Sequence, residues 1–392
     1  MEYFSSTPMN NLIKTDTPLV RASAAPILHI IKSLGRGGAE MLLPETLSEH
    51  SKEKYEFHYI YFIPWKYQMV EAIEKEGGKV TCFSASNNLT ILFQARKIAA
   101  YVRQHQIQLI HCHLPWAGIV GRIVGKMTGV PVVYTEHNTW ERYHKLTYYL
   151  NKLSFNSQDR VIAVSEDVAN SIKKYHHGSR PVVQVVSNGI NTEKYKSSFK
   201  SNRDIRKELN IPETTIVIGI TCVFRKQKRL DLWLEIAKAL REKHSETYFI
   251  IVGDGVLNNE IHHKAKSLKI DRYVHFAGLQ AETRPYLQAM DIFMMSSEFE
   301  GLPIALLEAM SMGCMPACTT AGGISELVKD NYNGILVPVN NSILLAERLA
   351  QYVQQPDKIK ILGNVARQTV IESFSVQKMV RELEIIYTDL LN

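Results

Sequence analysis

Short β-branched runs alternate with longer helical segments along this chain, and the alternation starts afresh halfway. Few architectures accept that pattern: a helix between successive strands makes the sheet parallel and covers both of its faces. The first half predicts strands at Ile27–Ser33, Tyr55–Phe62, Lys79–Phe83, Leu109–His113, Val130–Thr135, Val161–Val164 and Val182–Val186. The second predicts Ile216–Cys222, Tyr248–Val252, Val274–Ala277, Ile292–Ser296 and Met315–Thr319. Helical spacing falls between them, as at Gln94–Gln104 and Trp116–Thr128. Asn191–Asn202, rich in Lys, Ser and Asn without apolar period, reads as a linker. The expected fold is therefore α/β, two doubly wound Rossmann-like domains facing each other across a cleft. Residues 1–23 read as a loose tail, 24–195 and 196–375 as the two domains, and 376–392 as a terminal helix. That helix shows one apolar face, Met379, Val380, Leu383, Ile386 and Leu390. In such folds ligands bind outside the carboxyl ends of the strands, so the strand-end loops are where chemistry is expected.

Composition narrows the class. With 45% hydrophobic and 22% charged residues the chain is an ordinary globular one. Its net charge of +7 over 392 residues permits anionic partners without demanding them, and no long Lys/Arg block suggests nucleic acid. Five scattered cysteines argue for reduced thiols in a cytoplasmic protein. No apolar run reaches membrane-spanning length and no signal-peptide pattern opens the chain, so membrane contact is expected only from the surface, at the inner face. His111-Cys112-His113 cannot chelate one ion together from a regular strand, where alternate side chains face opposite ways, and reads as core.

Three loops carry candidate chemistry. Leu34-Gly35-Arg36-Gly37-Gly38-Ala39-Glu40 follows the first strand and opens a helix, where glycines let a backbone approach phosphate. Glu40 stands where a dinucleotide fingerprint requires glycine. Gly121-Arg122-Ile123-Val124-Gly125-Lys126 resembles a phosphate loop only loosely, with Met127 where Ser or Thr is needed; Gly118, Gly121 and Gly125, at helical spacing, read as a close packing face. In Glu300-Gly301-Leu302-Pro303-Ile304, Pro303 suits a first helical turn and Gly313 its far end, so the helix N-terminus makes an anion site. Glu300 precedes that helix; Glu308, inside it, leans back toward the N-terminus and can accept two sugar hydroxyls. Arg225, Lys226, Lys228 and Arg229 end the first strand of the second domain and face the same cleft, so a diphosphate would lie between cations and amides. No Asp-x-Asp pair occurs, so a carboxylate-bound metal is not expected.

Glu300 and Glu308, with seven residues between them that begin Gly301-Leu302-Pro303, resemble the E-x7-E signature of the family 4 retaining glycosyltransferases of the GT-B fold, of the bacterial polysaccharide-assembly type. Supporting matches in order are Gly37-Gly38-Ala39-Glu40, Thr135-Glu136-His137-Asn138, Val164-Ser165-Glu166, Ser187-Asn188-Gly189-Ile190, Ile251-Val252-Gly253-Asp254-Gly255 and Asn333-Gly334. The resemblance implies that Arg225, Lys228 and the backbone of Leu302, Pro303 and Ile304, with the N–H groups of Leu302 and Ile304, surround the donor diphosphate. It places Glu308 at the ribose, Leu279 near the base, and Glu300 and His137 beside the donor sugar. Gly37 and Gly38 would close over phosphate and sugar, and the terminal helix would cross back to the first domain. One departure stands out: Phe224-Arg225 replaces the family's usual Gly-Arg.

The resemblance further implies hexosyl transfer without a cofactor from a nucleotide-diphosphate sugar, UDP-glucose or another UDP-hexose before GDP-mannose, to a hydroxyl of a glycan or lipid-linked saccharide. The acceptor would meet the first domain, where Trp116, Asn138 and Arg142 stand near strand ends. The alternatives are a non-catalytic nucleotide-sugar sensor on the same fold, against which the intact cations and acids argue, and a sugar-nucleotide epimerase, which would not be expected to carry the E-x7-E helix. Segment Arg142–Phe155 has three cations, no acid, and Leu146, Tyr149, Leu150 and Leu153 on one face; it reads as a helix packed on the sheet, with a membrane-dipping surface as the sharper alternative.

Overall fold

The computed structural model describes residues 24–339 and 341–392, so the expected tail lies outside the described residues. Seven strands build the first sheet: β1 (Ala25–Ile31), β2 (Tyr55–Tyr61), β3 (Lys79–Cys82), β4 (Leu109–His113), β5 (Val132–Glu136), β6 (Arg160–Ala163) and β7 (Val182–Val185). Six build the second: β8 (Val217–Thr221), β9 (Tyr248–Val252), β10 (Val274–Gly278), β11 (Ile292–Met295), β12 (Met315–Thr319) and β13 (Ile335–Val337). The orders are β3-β2-β1-β4-β5-β6-β7 and β10-β9-β8-β11-β12-β13, with every pairing parallel. Strands β4, β5, β8 and β12 are buried along their whole length, as a parallel sheet covered on both faces requires, so even His111, His113, Thr135 and Glu136 lie inside. All the expected strands form, with ends displaced by a residue or two. The unexpected one, β13, has three residues between Gly334 and Pro338, too few to show a period.

Each sheet reverses its winding once, between β1 and β4 and between β8 and β11. At these two switch points the chain leaves the sheet to opposite sides and opens a crevice. The loops after β1 and β4 therefore stand opposite those after β8 and β11.

Helices cover both faces. On one side of the first sheet, helix Pro115–Thr128 packs closely because three of its residues lack a side chain. A Cβ at Gly118, Gly121 or Gly125 would stand 2.7, 2.1 or 2.4 Å from Tyr134, Cys112 or Val132. On the other side lies the terminal helix Val376–Leu391, which buries Met379, Val380, Leu383, Ile386 and Tyr387. It crosses back from the second domain, packs on helix Gly38–Glu49, and joins Tyr387 to His111 at 2.7 Å and Glu384 to His50 at 3.1 Å. The chain passes between the domains at two neighbouring points: the Ile190 amide donates to Phe374 (2.9 Å) and the Val376 amide to Ile190 (2.9 Å).

Candidate functional site

The second-domain wall is fixed by the end of β11. Ser296 donates to the carbonyls of Lys228 (3.2 Å) and Arg229 (2.9 Å), and the Glu298 amide donates to Gln227 (2.8 Å). These bonds hold the basic loop in a tight turn that ends on Arg229 in the left-handed region, φ 48°. Lys228 reaches Glu300 at 2.6 Å, both side chains nearly buried. One ammonium proton goes to that carboxylate, leaving two donors for a ligand. Arg225 is exposed at the mouth of the turn. Pro303 is extended and stands just before helix Ile304–Ser311 rather than inside its first turn. The helix's first amides and its positive dipole end open onto the cleft beside Lys228 and Glu300.

Glu308 lies one turn inside, 4% exposed. Burial pushes its carboxyl up to about 7, against the pull of the Tyr195 hydroxyl and Lys194 facing it; Glu45 and Glu282 add to the upward push. Tyr195 is itself buried, its carbonyl accepting from Ser311 (2.5 Å) and Arg367 (3.1 Å). The segment read as a plain linker thus lines the site. Two aromatics in a polar run, Tyr195 and Phe199, are the signal there, and they give no direction.

The first-domain wall meets this one closely. A Cβ on Gly38 would stand 3.4 Å from Ile304, so two helix N-termini approach one another across the cleft. A Cβ on Gly301 would stand 2.2 Å from the His137 carbonyl oxygen, and one on Gly322 or Gly323 would stand 2.0 Å from the Glu300 or Gly301 carbonyl. Backbone therefore packs on backbone around Glu300-Gly301, a place only glycine can take. Asn188 donates to the Leu302 carbonyl (3.0 Å), Arg142 pairs with Glu298 (3.4 Å) and stacks over Phe299 (4.0 Å), and Arg36 donates to Gln280 (3.3 Å). Gly37 backs instead onto the Glu40 carboxylate, and Leu279 is exposed at the rim after β10. Trp116 is buried, while the Asn138 amide donates to Glu136 (3.3 Å).

Glu136 anchors the loop that carries His137 and Arg142. It is fully buried, accepting from Tyr134 (2.9 Å), Trp140 (3.1 Å) and Tyr143, and burial raises its carboxyl above the ordinary range. Burial lowers His137 to about 4, so its ring is neutral at pH 7. Its Nε2 lies 3.5 Å from His113, whose other nitrogen lies 3.0 Å from His29. His29, His111 and His113 have ring nitrogens within 4.8 Å of one another and are the described residues that could hold a metal. His111 is engaged on both sides, by Tyr387 and Thr135 at 2.7 Å each. Cys112 points away toward Gly121, as strand alternation requires.

The "Glycosyltransferase Family 4" model matches residues 36–194, and "Glycosyl transferases group 1" matches residues 201–369. The chain is 26% identical over 301 residues to the Escherichia coli UDP-Gal:alpha-D-GlcNAc-diphosphoundecaprenol alpha-1,3-galactosyltransferase, covering 74% of this chain and 77% of that one. It is 29% identical over 306 residues to the Bacillus anthracis N-acetyl-alpha-D-glucosaminyl L-malate synthase, covering 76% and 78%. In fold it is similar to Anabaena HepE, solved with UDP and glucose: TM-score 0.82, 22% identity, 93% of this chain and 100% of that one.

Proposed function

Since the chain belongs to the family 4 glycosyltransferases and has their GT-B fold, we propose that it transfers a hexosyl unit, with retention and without a metal, from a UDP-sugar to a saccharide hydroxyl in bacterial polysaccharide assembly. UDP-glucose is the favoured donor and GDP-mannose the second. The observation that carries this reading is the juxtaposition of Lys228, Glu300 and the amides of helix Ile304–Ser311 at the second domain's switch point. It is supported by the relative that uses UDP-Gal and a diphosphoundecaprenol-linked sugar, which also favours a lipid-linked acceptor.

In this reading the anomeric C–O bond breaks and its electron pair leaves with the diphosphate. Lys228, Arg225 and the amides of Leu302 and Ile304 stabilise that charge, each contributing a few kcal/mol in a closed cleft, about 3 kcal/mol for a well-placed donor. Glu308 accepts the ribose hydroxyls, while Leu279 borders the base. Gly37 and Gly38 bring the opposing backbone over phosphate and sugar. The acceptor oxygen bonds to the anomeric carbon on the face the leaving group quits, and its proton passes to a donor phosphate oxygen. Glu300 contacts the sugar and orients Lys228. Neutral His137 exchanges hydrogen bonds with a sugar hydroxyl, a role that its depressed pKa suits.

The test is nucleotide release from UDP-, GDP- and ADP-sugars by wild type, Glu308→Ala and Lys228→Ala. Slow hydrolysis of UDP-glucose, reduced about 100-fold or more in Lys228→Ala, is expected. Nucleotide binding without turnover, even with lipid-linked saccharide supplied, would favour a sensor; absence of binding would sink the cleft assignment.

A further inference from the structure

The chain's positive charge is not spread evenly. Residues 77–158 contain nine Lys and Arg against two Asp and Glu, a surplus as large as the formal +7 of the whole chain, and the remaining residues balance. The two acids do not offset it at the surface: Glu136 is fully buried and Glu141 is bound to Lys174 (3.2 Å) and Ser171 (2.6 Å).

The fold gathers this stretch onto one side of the first sheet. Helices Asn88–Phe93, Ala95–Gln104, Pro115–Thr128 and Lys145–Ser154 pack side by side on the Cys112 face, opposite the terminal helix, and none contains an acid. Among the described residues, Arg96, Lys97, Lys126, Lys145 and Lys152 are exposed and have no carboxylate within ion-pair distance.

Helix Lys145–Ser154 inverts most of the face expected to pack on the sheet: of Leu146, Tyr149, Leu150 and Leu153 only Leu150 packs against the core, with Tyr148 beside it. The residue it buries is Asn151, held by buried Arg122 at 2.8 Å, while Leu146, Tyr149 and Leu153 face outward, Leu153 85% exposed. Arg122 explains the inversion: it also needs Gln158 (2.7 Å) and Ser154 (2.9 Å), so the helix turns its polar side inward. Phe93, 78% exposed, adds a second apolar projection from helix Asn88–Phe93, which packs on helix Pro115–Thr128 of the same face.

Exposed apolar side chains set among unpaired cations, with no acid, match an interface of anionic head groups over acyl chains. We infer that this helical face docks the protein on an anionic phospholipid bilayer, with Phe93, Leu146, Tyr149 and Leu153 inserted and Lys126, Lys145 and Lys152 at the head groups. The face begins at the cleft rim, because Arg142 lies three residues before helix Lys145–Ser154 and stacks on Phe299. A saccharide carried on a bilayer lipid would thus be presented at the mouth of the cleft.

The experiment is flotation of the full chain with vesicles of phosphatidylcholine alone or in equal mixture with phosphatidylglycerol, at low and high salt. Wild type is expected to float with the mixed vesicles only, and less at high salt. Lys145→Gln with Lys152→Gln should lower partitioning about 25-fold, each charge near an anionic surface counting for about fivefold. Tyr149→Ser with Leu153→Ser should lower it about tenfold. Both variants alter exposed residues outside the cleft, so their release of nucleotide from the donor is expected to match wild type. That separates this surface from the transfer reading: loss of release in wild type sinks the latter alone. Failure to float at low salt, or flotation unchanged in both variants, would overturn the inference. So would retention by DNA without flotation, or lipid-free self-association that Leu153→Ser removes.

Discussion

Glu308 is a carboxyl whose burial favours the neutral form until about pH 7, yet its proposed task, accepting hydrogen bonds from two hydroxyls, is best met by the ionised one. Donor affinity should therefore rise with pH through about 7 and level off above it. Glu308→Gln, which cannot ionise, should bind weakly at every pH with that rise removed; calorimetric titration of nucleotide between pH 6 and 8 reads both. Without ligand the sign reverses for stability. A raised folded pKa means the native state holds the proton longer, so the contribution is full below the ordinary carboxylate value and is lost as pH climbs through about 7. The sequence singles out Glu300, Gly301 and Glu308 as candidates by their spacing along one loop and helix, and Lys228 by its place in the basic loop after β8. Tyr195 and Lys194 were invisible for the converse reason: they reach Glu308 only through the path of the chain between domains, which has no period.

Single elements carry the next constraint, how closely two backbones can approach. Gly301 and the loop after β5 touch through a glycine Cα and the His137 carbonyl, so Gly301→Ala places a methyl where an oxygen stands. Overpacking of this kind costs about 1–3 kcal/mol, and here it falls on closure of the cleft and not on either core. Activity is expected to drop at least about tenfold while the unfolding midpoint of each domain moves little, checked by steady-state kinetics beside calorimetry. Elements were legible where burial fixes their pattern, as in the fully buried strands and the three-glycine helix. They were misread where a single buried polar group decides orientation. Arg122 is a surface residue by type, and no periodicity announces that it will hold Asn151 inward and leave Leu146 and Leu153 to solvent.

For the molecule as a whole, the two domains should respond differently to acid. Burial is the largest cause of the low pKa at each of four histidines of the first domain: His111 at about 3, His137 at about 4, His29 and His113 well below 6.5. Once unfolded, these rings take up protons near pH 6.5 that the native state refuses, so their contribution is full above that value and erodes as pH falls toward 4. Hydrogen exchange between pH 7 and 5 should show the first domain losing protection before the second; equal loss in both would contradict the assignment. Facing domains and a cleft followed from the alternation of strands and helices, whereas the closeness of the walls did not, because it depends on contacts between residues hundreds of positions apart. The paired crossings at Ile190 and Ser375 have a mechanical meaning. Two chain segments bonded side by side behave as an axle: the domains can swing about it but cannot easily slide or twist past one another. Travel then grows with distance from that axle, so a small rotation there opens widest the part of the cleft that lies farthest from Ile190.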